Sequence, residues 1–429
     1  MRSTAALLAP ALALLAIAAA CDGDDADPTP TAAPTDAAPA SEIDVPPRPA
    51  AFADYPDAVA TYLSDAGDAA VATCLAGLLD VWAMPDGREP LPGDPPPAGE
   101  RCLAGNVDQD PEDEIAVRFT AEPDDPAYAG LLSNVAVFDQ ADGAYRVAYQ
   151  TWTADELPEG AHASPFPHTV ASAGDINADG NGELVYTTST CGAHTCSLTV
   201  FVLTGTPDAY RHLTPESPDP ANPYGIAMET ADLSVEDRDG DGAQEIVLHG
   251  GTINSVGAGP QRTRTEVYAW DGAVYALTEL LYDPSDLRLF RVLDADEAFA
   301  AARYDEAATL YNEAIVDTTL ADAENFGSRD ELLAYAHFRL GLSHLQLGDT
   351  AGASQAVETA ISRFPTTLIA GAAVAFRDAI DLSQVRAGEL SAGCVAAAAS
   401  LASATTRFEE AWYYGYSNPQ LTPTDVCPF

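Results

Sequence analysis

An acidic nonapeptide recurs three times in this chain: "NVDQDPEDE" from Asn106, "DINADGNGE" from Asp175 and "DRDGDGAQE" from Asp237. The copies align without gaps as Asp/Asn, x, Asp/Asn, x, Asp, Gly/Pro, x, x, Glu, and each runs into an Ile or Leu. A single run of this kind is more often a surface turn than a cation cage, because Asp, Asn and Gly tolerate tight backbone geometry. Three copies in register at a nearly steady period mark a repeat architecture, whose units stack to bury a shared core.

Each copy is followed by similar material. An apolar strand comes first ("EIAVRF", "ELVYTT", "EIVLHG"), then an irregular stretch, then two alternating strands around a turn. The turn is Asp-Gly in "NVAVFDQADGAYRVAYQ" and "TEVYAWDGAVYALTE", a strong hairpin signal, and longer in "SLTVFVLTGTPDAYRHLTPE". One unit is therefore an acidic loop with about three or four antiparallel strands, roughly a propeller blade.

Loop positions 1, 3, 5 and 9 carry the oxygen ligands. They are Asn106, Asp108, Asp110 and Glu114; Asp175, Asn177, Asp179 and Glu183; and Asp237, Asp239, Asp241 and Glu245. Ca²⁺ is a hard cation that takes about six to eight oxygens, and alternate side chains of a curled loop converge to supply them. Glycine at position 6 permits the bend, and the glutamate closes the site. Unneutralised, these carboxylates repel, so a bound cation should stabilise the fold. The expectation is two to three Ca²⁺ ions.

The loops resemble the short calcium loops of FG-GAP and VCBS-type repeats, over about residues 102 to 285. The resemblance implies β-propeller blades with Ca²⁺ in each loop and no catalysis by the blades. Two departures stand out: Pro111 and Asn106 alter the first loop, and three copies fall short of the usual minimum of about four blades. The ring is then incomplete, capped by helices, or completed by a degenerate blade.

From residue 286 the pattern turns alanine-rich and helical. "FRLGLSHLQLGDTAGASQAVETAISRFP" carries Leu340, Gly341, Gly348, Ala353, Ala360 and Pro365; "ARYDEAATLYNEAIVD" carries Tyr304, Ala307, Tyr311, Ala314 and Ile315. About residues 293 to 380 thus resemble tetratricopeptide repeats, in which small residues let two helices pack closely. That implies a partner-binding concave face, although every one of these residues also reads as ordinary helix-packing core. Two units are marginal for a solenoid, so they are expected to pack against the blades or the C-terminal helix. The fold class is α+β multidomain: three propeller-like units at 102–285, then a tetratricopeptide-like stack at 286–391. A helical lead-in occupies 51–101. A C-terminal helix with an aromatic tail fills 392–429, where "WYYGY" reads as buried packing before sugar stacking.

The N-terminus reads as an export signal: Arg2, the apolar "ALLAPALALLAIAAA", and then Cys21. Residues 1–21 resemble a bacterial lipoprotein signal peptide, which implies lipidation at Cys21. Ala18 departs from that pattern, and cleavage without lipidation, giving a secreted protein, is the competing reading. Residues 22–50, rich in Pro, Asp, Thr and Ala, read as a disordered tether. The other six cysteines allow fifteen pairings. In the oxidising conditions that an exported chain meets, Cys74–Cys102, Cys191–Cys196 and Cys394–Cys427 form the neighbour set. "CGAHTC" alternatively offers Cys191, His194 and Cys196 to zinc, without an evident fourth ligand.

The formal net charge is −47 and all 19 basic residues are arginine, which disfavours nucleic acid as a partner. No HExxH, GxSxG or Walker-type loop occurs, so no catalytic residues are assigned. The reading is an exported calcium-binding scaffold at the outer face of a membrane, with a protein or surface glycan partner and membrane contact through the lipid alone. The reading from another class is a polysaccharide-active or hydrolytic enzyme with its site on the propeller face.

Overall fold

The computed structural model describes residues 44–67, 75–84, 100–122, 132–151, 168–192, 194–206, 209–216, 224–384 and 389–429. The signal segment, Cys21, most of the tether and Cys74 lie outside them. Val45–Phe429 form one unit.

Among the described residues the β part is three separate antiparallel sheets, each threaded in chain order. The first holds β1 (Cys102–Gly105), β2 (Glu114–Ala121), β3 (Leu132–Ala141) and β4 (Ala144–Gln150). The second holds β5 (Thr169–Gly174), β6 (Glu183–Cys191), β7 (Cys196–Thr206) and β8 (Ala209–His212), with β9 (Ile226–Glu229) added beside β7. The third holds β10 (Asp232–Glu236), β11 (Glu245–Gly250), β12 (Arg264–Trp270) and β13 (Tyr275–Tyr282). The strands and hairpins expected after each loop are present. The short strands before the loops, "CLAG", "TVASAG" and "DLSVE", carry too few large apolar residues to announce themselves. Each acidic loop therefore lies inside a hairpin, with Gly105 paired to Glu114, Gly174 to Glu183 and Glu236 to Glu245.

The sheets pack on one another through alternating apolar side chains. Val135, Val137, Val170, Leu184 and Leu203 fill the seam between the first and second sheets. Val185, Val200, Val202, Ile246 and Leu248 fill the seam between the second and third. Loop position 2 reaches into these seams: Val107 belongs to the first cluster and Ile176 to the second. The backbone joins in, since Gly205 N donates to Val107 O at 2.8 Å and Gln244 N to Ile176 O at 2.6 Å.

Helices α1 (Tyr55–Ala66) and α2 (Ala76–Val81) belong to the lead-in. Tyr55 meets Trp82 at 5.3 Å and Phe119 of β2 at 6.2 Å, and Tyr145 N of β4 donates to Ser64 Oγ at 2.8 Å. The first sheet is thus capped by helix.

The C-terminal part consists of α3 (Arg288–Ala300), α4 (Tyr304–Val316), α5 (Arg329–Gln346), α6 (Thr350–Arg363), α7 (Leu368–Ala379), α8 (Glu389–Ala402) and α9 (Thr405–Ala411). From α3 to α8 each helix packs on the next, and α3 also meets α5 and α5 meets α7. Small residues permit this spacing. A Cβ on Gly341 would lie 2.8 Å from Val357 Cγ2, and Ala353 and Ala360 are fully buried. Buried Glu331 of α5 accepts from Leu368 N at 2.6 Å and Ile369 N at 3.1 Å, capping the first turn of α7. The helical part meets the third sheet through the segment that leads into β12. Arg262 pairs with Asp294 of α3 and lies 4.2 Å over the Tyr282 ring. Asn418 Nδ2 donates to Pro260 O at 2.8 Å and to Tyr414 O at 2.7 Å. Of the aromatic tail, Trp412 and Tyr414 are buried and Tyr413 and Tyr416 exposed.

Cys191–Cys196 and Cys394–Cys427 are disulfides, so the two thiols of "CGAHTC" are joined to each other. Cys102 is disulfide-bonded, while Cys74 lies outside the described residues.

The acidic loops touch where the sheets meet. A Cβ built on Gly182, at position 8 of the second loop, would lie 1.6 Å from Asn106 O, at position 1 of the first. Backbone cannot retreat as a flexible side chain can. Gly182→Ala should therefore lower the unfolding free energy by about 1–3 kcal/mol through overpacking, read as a drop in the urea midpoint by tryptophan fluorescence. An unchanged midpoint would contradict close contact between the loops at this seam.

Candidate metal centre

The three loops share one hydrogen-bond frame. In each, the closing glutamate accepts from the backbone N–H of position 2: Val107 N to Glu114 Oε2 at 2.6 Å, Ile176 N to Glu183 Oε2 at 3.1 Å, and Arg238 N to Glu245 Oε2 at 2.9 Å. Position 3 accepts from the amide of position 5, in Asp108–Asp110, Asn177–Asp179 and Asp239–Asp241, at 2.9–3.1 Å. Position 5 accepts from position 7 at 2.9 Å in all three copies. Such Asx turns curl the chain and aim the remaining oxygens inward. Position 4 is left-handed throughout, with φ of 75° at Gln109, 58° at Ala178 and 81° at Gly240. The sequence pattern gives no hint of that shared requirement, because only the third copy places glycine there.

The first loop departs from the others at two linked positions. Gly180 N and Gly242 N, at position 6, donate to the position-1 carboxylates of Asp175 and Asp237 at 3.1 and 3.2 Å. Pro111 has no N–H to give. Position 1 of this copy is correspondingly an amide: Asn106 Nδ2 donates to Asp110 O and, at 3.2 Å, to Glu112 O. The loop loses one carboxylate and stays closed by the reverse kind of bond.

A carboxylate from outside the loop enters instead. One oxygen each of Asp108, Asp110, Glu114 and Asp139 lie within 4.8 Å of one another. Asp139 sits on β3, one step past the Ile115–Phe138 pair and so across from Glu114. Asp108 and Glu114 are each 1% exposed and Asp139 is 2% exposed. Burial pushes the Glu114 carboxyl up to about 8 and raises Asp108 as well, with neighbouring carboxylates adding to both shifts. Tyr210, from β8 of the next sheet, is pushed up first by burial and then by Glu114, Asp108 and Asp139, which places its ring beside the cluster.

In the second loop Asn177 takes the place of a carboxylate. Its Nδ2 donates to Asp179 Oδ2 at 3.1 Å and Glu183 Oε1 at 3.2 Å, and Asp175, Asp179 and Glu183 do not form a comparably tight group. Glu183 is fully buried, which pushes it up to about 7. Tyr275 of the third sheet faces this loop and is raised by burial and by Glu183 and Glu245. The third loop brings Asp237, Asp239 and Asp241 within 4.8 Å of one another, all three exposed, with Glu245 outside that group. Arg238, at its position 2, pairs with Glu279 at 3.6 Å where the earlier copies place Val107 and Ile176. These two acidic groups could hold a metal ion. Of the residues expected from spacing, the structure gathers three in the first loop and three in the third. Spacing missed Asp139, because a strand residue carries no loop signature.

The buried carboxyls set a pH dependence. A carboxyl raised in the folded state stabilises it fully below its ordinary value of 4.5 and loses that contribution as pH rises through about 7 for Glu183 and about 8 for Glu114. In chelator, the melting temperature should therefore fall between pH 5 and pH 8.5 by scanning calorimetry, and Glu114→Gln should flatten the fall. A wild-type midpoint that rises over this window would refute the assignment.

Comparison with protein-family models and with curated proteins finds no match to this chain.

Proposed function

We propose that this chain is an exported, lipid-anchored interaction scaffold without catalysis of its own, whose β part is stiffened by Ca²⁺ and whose helical part presents the partner-binding face. The observation that carries the reading is the first acidic cluster. Four carboxylates, three of them buried, meet at a seam between two sheets; Arg146 answers one oxygen of Asp139, and the charge that remains calls for a cation or protons. The donor set is oxygen alone, which favours a hard cation, and a flexible loop of carboxylates suits Ca²⁺ better than the small, rigidly octahedral Mg²⁺.

Several features support the rest of the proposal. Three four-stranded meanders with the loop at the same register fit propeller-like units of the FG-GAP and VCBS kind. The consecutive packing of α3 to α8, with tight Gly341 and Ala353 contacts, fits a tetratricopeptide-like stack. The export signal and Cys21 support anchoring through lipid. Among the described residues no helix is long and apolar enough to cross a membrane. The acidity favours a protein or glycan partner over nucleic acid.

Extracellular calcium modules bind with Kd on the order of 10⁻⁴–10⁻³ M. At ~10 mM calcium, a site with Kd near 10⁻⁴ M adds about 2.7 kcal/mol of stability. Calorimetry of the full chain should therefore show a melting temperature several degrees higher in millimolar calcium than in chelator, with magnesium giving a smaller rise. Equal midpoints with and without calcium would overturn the reading.

A further inference from the structure

The first loop and the strand behind it differ from their counterparts in one further respect. In the second sheet the place across from the closing glutamate belongs to Thr204, whose hydroxyl donates to Gly182 O at 3.0 Å. In the third sheet the same place, one step past the Ile246–Tyr268 pair, is Ala269. In the first it is Asp139, an acid placed in a nearly solvent-free position beside three other acids. A buried carboxylate there needs a reason, because each added charge raises the repulsion in the cluster.

The two oxygens of Asp139 are treated differently. Oδ2 accepts from Arg146 Nε at 3.0 Å and Nη2 at 2.8 Å, and the arginine reaches it from the outside with half its side chain in solvent. Oδ1 is buried and has no hydrogen-bond partner. Glu114 shows the same division: Oε2 holds the amide of Val107, and Oε1 is buried without a partner. Two orphaned carboxyl oxygens thus sit on two almost wholly buried residues of one cluster, whose members each bring an oxygen within 4.8 Å of the others. Buried acceptors are nearly always satisfied, and an unsatisfied pair of this kind points to a ligand that supplies positive charge.

We propose that Asp139 is a direct cation ligand, so that the first site is a composite of loop and strand, with Asp139 Oδ1 and Glu114 Oε1 facing the ion together with Asp108 and Asp110. The ligand class is a divalent, oxygen-seeking cation. Asp139 supplies the charge that Asn106 withholds from position 1, through the oxygen that Arg146 leaves free. The inference rests on the reading that the first loop takes a cation, and the test separates the two.

The full chain carrying Asp179→Asn and Asp241→Asn, which disable the other two loops, is stripped with chelator and titrated with CaCl₂ by calorimetry. In that background Asp108→Asn should abolish the remaining binding; if the background binds no calcium, or Asp108→Asn binds as well as the background, the first loop takes no ion and the underlying reading fails. Asp139→Asn should weaken binding about tenfold or more, since ligand charge count sets affinity in such loops. Arg146→Gln, which removes only the ion pair, should stay within about threefold of the background. Binding by Asp139→Asn within twofold of the background, or an Arg146→Gln loss equal to that of Asp139→Asn, would overturn the role of Asp139 while leaving the calcium reading intact. Terbium in place of calcium provides the check that misfolding cannot mimic. Luminescence decay in H₂O and D₂O counts metal-bound waters, and Asp139→Ala should admit about one more; an unchanged count overturns the proposal.

Discussion

A glutamate that begins a strand and turns back to hold the amide of its own loop is the interaction on which the β part of this protein depends. It occurs three times with the same register, at Glu114, Glu183 and Glu245. The bond fixes the loop against the ladder, and the Asx turns at positions 3 and 5 then close the curl. Its consequence is electrostatic. Two of the three glutamates are covered by the next sheet, and a covered carboxyl either keeps a proton or finds a cation. Packing of the sheets and charge in the loops are thus a single problem, solved at the seams. The loop amides order the backbone by holding oxygens of these acids, and at Glu114 they hold Oε2 and leave Oε1 buried without a partner.

The burial of the loops falls along the chain for a geometric reason. The first loop is covered by the second sheet and the second loop by the third, each through an apolar residue at position 2 and a tyrosine from the covering sheet. Among the described residues no sheet follows the third loop's own, since α3 begins soon after β13. Its position 2 is accordingly Arg238, paired at the surface with Glu279, and its aspartates face solvent. Exposed carboxylates repel weakly through water and salt. Charge in the first two loops therefore bears on sheet packing, and charge in the third does so much less.

Much of this is readable in the residues because it is local. The recurring spacing locates all three loops, alternation locates the strands after them, and Asp142-Gly143 marks its hairpin correctly. The small residues near Gly341 and Ala353 point to close helix packing, which the helices show. Other features are hidden because they are not local. "CLAG" and "DLSVE" pair through backbone bonds that side-chain patterns do not encode. Asp139 enters the first cluster across a sheet, a relation set by register and invisible in linear spacing. Glu331 caps a helix that begins far along the chain, at Leu368. Position 2 of the loops does hold a signal that ligand spacing alone overlooks: Val, Ile and then Arg track which loops are covered.

Proline at position 6 ties these observations together. Without an N–H, Pro111 cannot anchor a position-1 carboxylate as Gly180 and Gly242 do, so an aspartate at 106 would have left one more unanswered charge in the most enclosed of the loops. Asparagine there donates to carbonyls and adds none. The acid on β3 then lies where its backbone is already held by the sheet and its side chain by Arg146. A carboxylate presented from a strand loses less freedom on closing around an ion than one presented from a loop, because the ladder has already fixed its backbone. The altered first copy is therefore a different division of the same oxygen set between loop and sheet, and the rigid half of that division is the half that reaches into the seam.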